Sequence, residues 1–169
     1  MDQIVKAAMR KWPTVPHCYG WLALDARGDW YLRDEPTQAA GPFPQVKGNR
    51  IEHDRLRGFI QRNYERDARG CWYFQNGPQR VYVELEATPW IWRLQRDPKE
   101  EPRSAELRVE SHTGVAIGHV QSSWLDEAGR LYLLTPMGFG LVHSMDMLVA
   151  ADAVDAGCLR PEDCLSAEL

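Results

Sequence analysis

The side chains best suited to hold a ligand cluster in one stretch of the sequence. Trp30 and Arg33 lie on a predicted strand, Phe43 stands between two prolines, and His53 begins the next predicted helix. An aromatic ring can stack on a flat ligand, and a guanidinium group binds anions through paired hydrogen bonds. We therefore predict a ligand-binding or interface patch formed by Trp30, Arg33, Phe43 and His53.

The same residue types serve more than one kind of partner. Aromatic and arginine side chains are also enriched in the cores of protein–protein interfaces. The patch would suit an acidic small molecule, a peptide or a second copy of the chain, and these alternatives stay open. The seven tryptophans favour a role as bulk in the core over an aromatic-lined surface. Carbohydrate binding would explain their number, but no Asn/Asp-rich sugar pattern supports it.

No pattern of residues specific to catalysis is found in the sequence. It lacks the Gly-x-Ser-x-Gly nucleophile elbow and the glycine patterns of phosphate and dinucleotide sites. The histidines and the four cysteines do not have the spacing of a zinc motif, so we expect no metal and no cofactor. The alternative to a non-enzymatic module is a small hydrolase or transferase that uses His53 or His143 with nearby acids.

The composition is that of an ordinary folded protein. The chain has 169 residues, of which 44% are hydrophobic and 26% charged, and a formal net charge of −4. Its basic residues form no block, so we do not expect nucleic acid as a partner. No apolar run approaches the roughly 20 residues that span a bilayer, so we expect no membrane association. Without a signal-peptide pattern, and with cysteines interpreted as reduced thiols, the sequence predicts a cytoplasmic location.

Short helices and β-hairpins must position the candidate residues. Helical periodicity predicts helices over about residues 2–11, 52–66 and 144–155. The second of these has an apolar stripe that includes Ile60 and Tyr64, and Asp54 is its predicted N-cap. Residues 34–49 are rich in proline and predict a long loop without regular structure. The end of the chain is interpreted as a loosely packed turn.

One turn pattern repeats along the chain. Asp-x-x-Gly begins at Asp25, Asp67 and Asp126, and aromatic or leucine residues follow each copy at strand spacing. Two further segments, 48–53 and 138–143, each run from a glycine to a histidine ahead of a predicted helix. These parallels indicate an internal duplication.

The repeats and a polar, proline-containing segment define the predicted organisation. We predict an α+β fold with two related halves, in which antiparallel β-hairpins wrap a helix. The halves are an N-terminal one over residues 1–95, with the long loop 34–49, and a C-terminal one over 107–169. Residues 96–106 are the predicted linker.

The middle of the chain resembles a known group of sequences. Gly48–Ile51 leads into a helix, the turn Asp67–Gly70 and strand Trp72–Phe74 follow, and residues 81–90 carry an acidic-Ala-Thr-Pro-Trp ending. This order is similar to that of uncharacterised proteobacterial domain-of-unknown-function proteins, mainly over residues 48–92, and Tyr132–Pro136 resembles their Tyr-x-x-Thr-Pro strand end. The resemblance implies a two-part α+β fold and a role in binding or signalling. We therefore predict a non-enzymatic ligand-binding or regulatory module.

Overall fold

The computed structural model describes residues 1–96 and 107–169, which form two compact units. The first unit comprises Met1–Asp25 and Asp29–Ala87, and the second comprises Ala26–Gly28 and Thr88–Leu169. Each unit contains one mixed β-sheet with helices. The predicted α+β fold with two related halves is confirmed. The predicted linker lies outside the described residues, apart from Arg96.

The first unit contains three helices and six strands. The helices are α1 (Gln3–Lys11), α2 (Glu35–Ala40) and α3 (Asp54–Arg62). The strands are β1 (Cys18–Leu24), β2 (Trp30–Leu32), β3 (Asn49–Arg50), β4 (Tyr64–Arg66), β5 (Trp72–Asn76) and β6 (Gln79–Leu85). They form a sheet in the order β3-β2-β1-β6-β5-β4. Only the central pair β1/β6 is parallel among these strands.

The second unit contains a seven-stranded sheet and one α-helix. The strands are β7 (Trp90–Gln95), β8 (Arg108–Ser111), β9 (Ala116–Ile117), β10 (Ser122–Leu125), β11 (Leu131–Thr135), β12 (Gly138–Val142) and β13 (Glu162–Asp163). Their order is β13-β10-β11-β12-β7-β8-β9. A 3₁₀ turn at Ser144–Asp146 leads directly into α4 (Met147–Asp155), and a second one lies at Ser166–Glu168.

The two sheets have equivalent topologies. The order of β1 to β6 in the first sheet is the same as the order of β7 to β12 in the second, and β7 pairs with β12 in parallel as β1 does with β6. The main difference lies after the second strand of each half. The Pro-rich loop and α2 connect β2 to β3, whereas the tight turn Ser111–Gly114 connects β8 to β9.

Several sequence-based expectations are corrected by these pairings. Trp90–Gln95, predicted to belong to the N-terminal half, joins the second sheet because its backbone pairs with β8 and β12. The tail is more than a turn, since β13 pairs in parallel with β10. The segments 48–53 and 138–143 hold different places in the strand order, because β3 is an edge neighbour of β2 while β12 is central.

The predicted helix boundaries are correct for two of the three predicted helices. The first and third helices lie where expected, but the second stops at Arg62 and Tyr64 begins β4. The N-cap of α3 is His53 and not Asp54. A short helix, α2, forms inside the Pro-rich loop because Asp34 caps it and a proline occupies its first turn. None of the helices in the described ranges has the length and apolar character needed to cross a bilayer.

The two faces of the first sheet are covered differently. Successive side chains of a strand point to opposite faces. On one face, Leu22, Phe74 and Val81 lie near the apolar side of α3, and the Phe59 ring of that helix meets Phe74 edge-on at 5.5 Å. On the other face, Tyr31 and Arg33 contact the Pro-rich loop. Candidate sites on the two faces are therefore separate.

Candidate functional site

The predicted pair of Trp30 and Arg33 does not form a common surface. Trp30 is 0% exposed and packs edge-on against the Tyr64 ring at 5.1 Å, so it belongs to the core. Arg33 lies three positions further on and faces the opposite side of the sheet. The interpretation of Trp30 as a stacking platform beside Arg33 is corrected on this point, because the two side chains are separated by the sheet itself.

Arg33 holds the Pro-rich loop in place. Its guanidinium group donates to Glu84 Oε2 at 2.6 Å, to the carbonyl oxygen of Gly41 at 2.6 Å and to that of Val46 at 3.2 Å. The Arg33 side chain is only 3% exposed. With its donors directed to these three acceptors, Arg33 contributes to the structure of the loop rather than presenting a free anion site.

Phe43 and His53 also have local roles. The Phe43 ring is half-buried, 6.4 Å from the Tyr31 ring and 5.9 Å from the Arg33 guanidinium carbon. His53 Nδ1 accepts a hydrogen bond from the Leu56 backbone N–H at 3.3 Å, which caps α3. A ligand contact by Phe43 or His53 stays a prediction.

The two histidines considered as catalytic residues both act as caps. His143 Nδ1 accepts from the Met145 N–H at 3.1 Å, as His53 does for Leu56. Two acids close to them in the sequence are paired with arginines: Asp54 with Arg57, and Asp146 with Arg93. Within residues 1–96 and 107–169, no three His, Cys, Asp or Glu side chains come close enough to hold a metal ion.

An apolar pocket opens on the α3 face of the first sheet. It has a volume of about 450 Å³. Its floor is formed by buried side chains of the sheet and helix, and its walls include partly exposed apolar groups. The floor residues are Leu22, Ile60, Phe74 and Val81. The walls include Trp21, Leu32 and Leu56, which are 40%, 45% and 37% exposed. Apolar groups left this accessible in a concave site are typical of ligand pockets.

A bulge in β1 brings Trp21 into this pocket. Between Cys18 and Leu22, four positions of β1 lie opposite the two positions from Val81 to Val83 of β6, so β1 carries two additional residues. Bulges change the direction of neighbouring side chains and are common beside functional sites. Here the bulge allows Trp21 and Leu22, which are adjacent in sequence, to line the same pocket.

The pocket offers a ligand no charged group. Its polar lining residues are Cys18, Asn76 and Gln79, and none of the lining residues is acidic or basic. Burial raises the pKa of the Cys18 thiol, and a backbone hydrogen bond at Tyr19 offsets this only in part, so the thiol is neutral at pH 7. The surroundings therefore favour a ligand without charge.

The sequence contained a partial signal for this pocket. Leu56 and Phe59 belong to the predicted apolar stripe of the second helix, and Trp21 lies in a predicted strand. The alternation within that strand does not place Trp21 beside Leu22, because the bulge interrupts it. For this reason the sequence pattern did not predict the pocket.

Comparison with known families identifies the family of this chain. The family model of DUF2944, described as "Protein of unknown function (DUF2946)", matches residues 1–168. The chain belongs to this family. No curated protein matches the chain. The match confirms the predicted resemblance to domain-of-unknown-function proteins, and the DUF2944 assignment carries no activity with it.

Two solved structures share the fold of this DUF2944 protein. A DUF1285 family protein from Silicibacter pomeroyi DSS-3 aligns over 90% of this chain and 84% of its own, with a TM-score of 0.54 and 12% identity. A second, from Shewanella baltica OS155, aligns over 78% of this chain and 91% of its own, with a TM-score of 0.50 and 15% identity. At such identities the similarity concerns the fold alone.

Proposed function

We propose that this protein is a non-enzymatic binding module, and that the pocket of its first unit takes a neutral, mainly apolar small molecule. The observation that carries the proposal is the open cavity of about 450 Å³ with Trp21, Leu32 and Leu56 in its walls. Cavities that bind small molecules usually measure about 300–1,000 Å³. Covering these three side chains would remove apolar surface from water, which favours binding.

The chemistry of the lining argues for a neutral ligand. An ionised carboxylate in an apolar site is costly unless a cation or several donors accompany it. Apart from Trp21 with its indole N–H, the described residues that line the pocket contribute polar side chains at Cys18, Asn76 and Gln79. The two amides can donate to or accept from a hydroxyl, carbonyl or amide group at one end of the ligand. This site therefore differs from the acidic small-molecule site expected at Arg33.

Binding of simple neutral probes tests the proposal. We expect decanol or naphthol to bind the full-length protein and to slow alkylation of Cys18, which lines the pocket. The exposed Cys71 and Cys158 should react at unchanged rates. Decanoate should bind at least about tenfold more weakly than decanol, because its charge must stay in water. If neither neutral probe binds or protects Cys18 at sub-millimolar concentration, the proposal is wrong.

A pair of leucine and isoleucine variants locates the binding site. Leu56→Gln should weaken decanol binding about tenfold, since it replaces an apolar wall of the pocket with an amide. Ile4→Gln is the matched control, because Ile4 is 76% exposed on α1 and does not line the pocket. Isothermal titration calorimetry on both variants checks this. Equal losses for both variants would place the binding site elsewhere.

Four further features belong to the same proposal. We propose that ligand occupancy serves regulation or signalling rather than turnover. The equivalent strand orders of the two sheets support an origin by internal duplication. Assembly as a homodimer and a cytoplasmic location stay predictions.

A further inference from the structure

We propose that Gln38 of α2 is a positioning residue for the pocket: its side-chain amide holds the bulge of β1 in the conformation that places Trp21 in the pocket wall. The inference rests on the proposed function, because it concerns the same pocket. It assigns a task to the Pro-rich loop, which contains α2.

The first observation is the close approach of Gln38 to Gly20. Gly20 has a φ of 78°, a backbone conformation that residues other than glycine rarely adopt. A Cβ on Gly20 would lie 2.6 Å from Gln38 Oε1 and 3.1 Å from its Cδ. The Gln38 amide therefore fills the space beside the residue that immediately precedes Trp21, and a Cβ at that position would force the amide to move.

The second observation is a hydrogen-bonded link between Gln38 and Trp21. Gln38 Nε2 donates to the carbonyl oxygen of Arg33 at 2.8 Å. The backbone N–H of Arg33 donates to the carbonyl oxygen of Trp21 at 3.0 Å. Through Arg33, the side chain of Gln38 is connected to the backbone that carries the pocket tryptophan.

The third observation concerns Arg33 itself and the loop. Its guanidinium group holds the carbonyl groups of Gly41 and Val46 and the carboxylate of Glu84. Arg33 directly follows the pocket residue Leu32, so the loop and the pocket wall share one anchored segment of chain. Arg33 therefore anchors the loop that carries Gln38, and the Gln38 side chain itself lies against Gly20 of β1.

The topology supports a role specific to the first half. The second half has the tight turn Ser111–Gly114 where the first has the loop with α2. A connection of only four residues suffices for the equivalent sheet. The additional residues of the first half are therefore not required by the strand order, and a role at the pocket accounts for them.

The first test needs no ligand. In protein labelled with fluorotryptophan, the fluorine NMR signal of Trp21, assigned by Trp21→Phe, should shift in Gln38→Ala. It should not shift in Gln3→Ala, which removes an exposed glutamine of α1. The signals of the core residues Trp30 and Trp92 report whether the change is confined to the bulge. An unchanged Trp21 signal in Gln38→Ala would overturn the inference.

The second test measures decanol binding. Gln38→Ala should weaken it about tenfold, with a thermal midpoint close to that of the wild-type protein, while Gln3→Ala binds normally. If the wild-type protein does not bind decanol or naphthol, the proposed function fails, but the fluorine shift still decides the position of Trp21. If the wild-type protein binds and Gln38→Ala binds equally well, only the role of Gln38 fails.

A double variant tests the contact itself. Gly20→Ala introduces a Cβ that collides with the Gln38 amide, so it should reduce decanol binding. Adding Gln38→Ala removes the collision, and the double variant should bind better than the sum of the two single losses predicts. Additive losses would show that the two residues act independently and would overturn the inference.

Discussion

The aspartates of the Asp-x-x-Gly turns each perform the same structural task. In every copy the carboxylate accepts a hydrogen bond from the backbone N–H four residues later, and a tyrosine hydroxyl donates to its second oxygen. The backbone donors are Asp29, Cys71 and Arg130, and the tyrosines are Tyr31, Tyr82 and Tyr132. Ser111 does the same for the Val115 N–H through its hydroxyl, which identifies a fourth copy of the turn. These residues are part of the scaffold.

The hydrogen bonds at Asp67 make the stability of the protein depend on pH. Burial alone would raise the pKa of this carboxyl, but the Cys71 N–H, the Tyr82 hydroxyl and Arg69 outweigh it and lower the pKa from 3.8 to about 2. Below about pH 4 the unfolded chain therefore binds more protons than the folded one. We expect the free energy of unfolding to fall as the pH drops from about 4 to 2, as measured by urea denaturation.

Two variants isolate this contribution. Asp67→Asn keeps an acceptor oxygen but cannot titrate, so its free energy of unfolding should fall less steeply over the same pH range. Tyr82→Phe removes one donor to the carboxylate and should give a slope between those of Asp67→Asn and the wild-type protein. An identical slope for Asp67→Asn and wild type would contradict the role assigned to Asp67.

At the scale of elements, the Pro-rich loop is fixed by ion pairs in which Arg33 and Asp25 are buried and Glu84, Lys47 and Glu86 are partly exposed. Arg33 pairs with Glu84, and Lys47 bonds both Asp25 at 2.9 Å and Glu86 at 3.1 Å. Asp25 is itself the first residue of a turn, so the loop is fastened to the first hairpin. Burial alone would lower the pKa of Lys47, but its hydrogen bonds to the two carboxylates raise it, so the lysine stays charged at neutral pH.

Removal of the Arg33 guanidinium should lower the free energy of unfolding of the first unit. Arg33→Met leaves two carbonyl groups and Glu84 without this donor, and we expect a loss of roughly 3 kcal/mol in the free energy of unfolding. Arg57→Met is the matched control: its pair with Asp54 is exposed on α3, so the loss should stay below about 1 kcal/mol. Urea denaturation at pH 7 measures both. Similar losses for the two variants would contradict the structural role of Arg33.

At the scale of the whole molecule, each half contains a complete sheet. All strands of the first sheet, and all residues that line the pocket, lie between Cys18 and Leu85. The second half repeats the same strand order with β7 to β12 and adds β13 at one edge. A domain that has its own sheet and core can fold alone.

The first half should therefore fold as a separate fragment. We expect residues 1–87 to give a cooperative urea transition and to bind decanol with an affinity within about threefold of the full chain. Circular dichroism and calorimetry check the two expectations. A fragment that is unfolded at 25 °C would show that residues beyond 87 are needed to complete the first core.

Much of the fold follows from local sequence. The three Asp-x-x-Gly turns, the hairpins around them and the first helix were predictable, because turn geometry, capping and periodicity act between residues close in the chain. The predicted end of the second helix was wrong. Tyr64 lies four positions after Ile60 and so fits the helical spacing, but it belongs to β4. Asn63, which is fully buried and accepts a hydrogen bond from the Asp2 N–H, ends the helix instead. That contact joins residues 61 positions apart.

The candidate site likewise has features that local sequence predicts and features that depend on contacts between distant residues. The turns, the class of fold and the apolar stripe of α3 follow from the sequence alone, and strand parity already separates Trp30 from Arg33. The pocket depends on the bulge that breaks this parity and on packing between residues as distant as Cys18 and Val81. A bulge is set by the register between two strands, and register is a property of the assembled sheet. Trp21 therefore enters the pocket through tertiary structure, as one of the seven tryptophans whose roles the sequence alone does not separate.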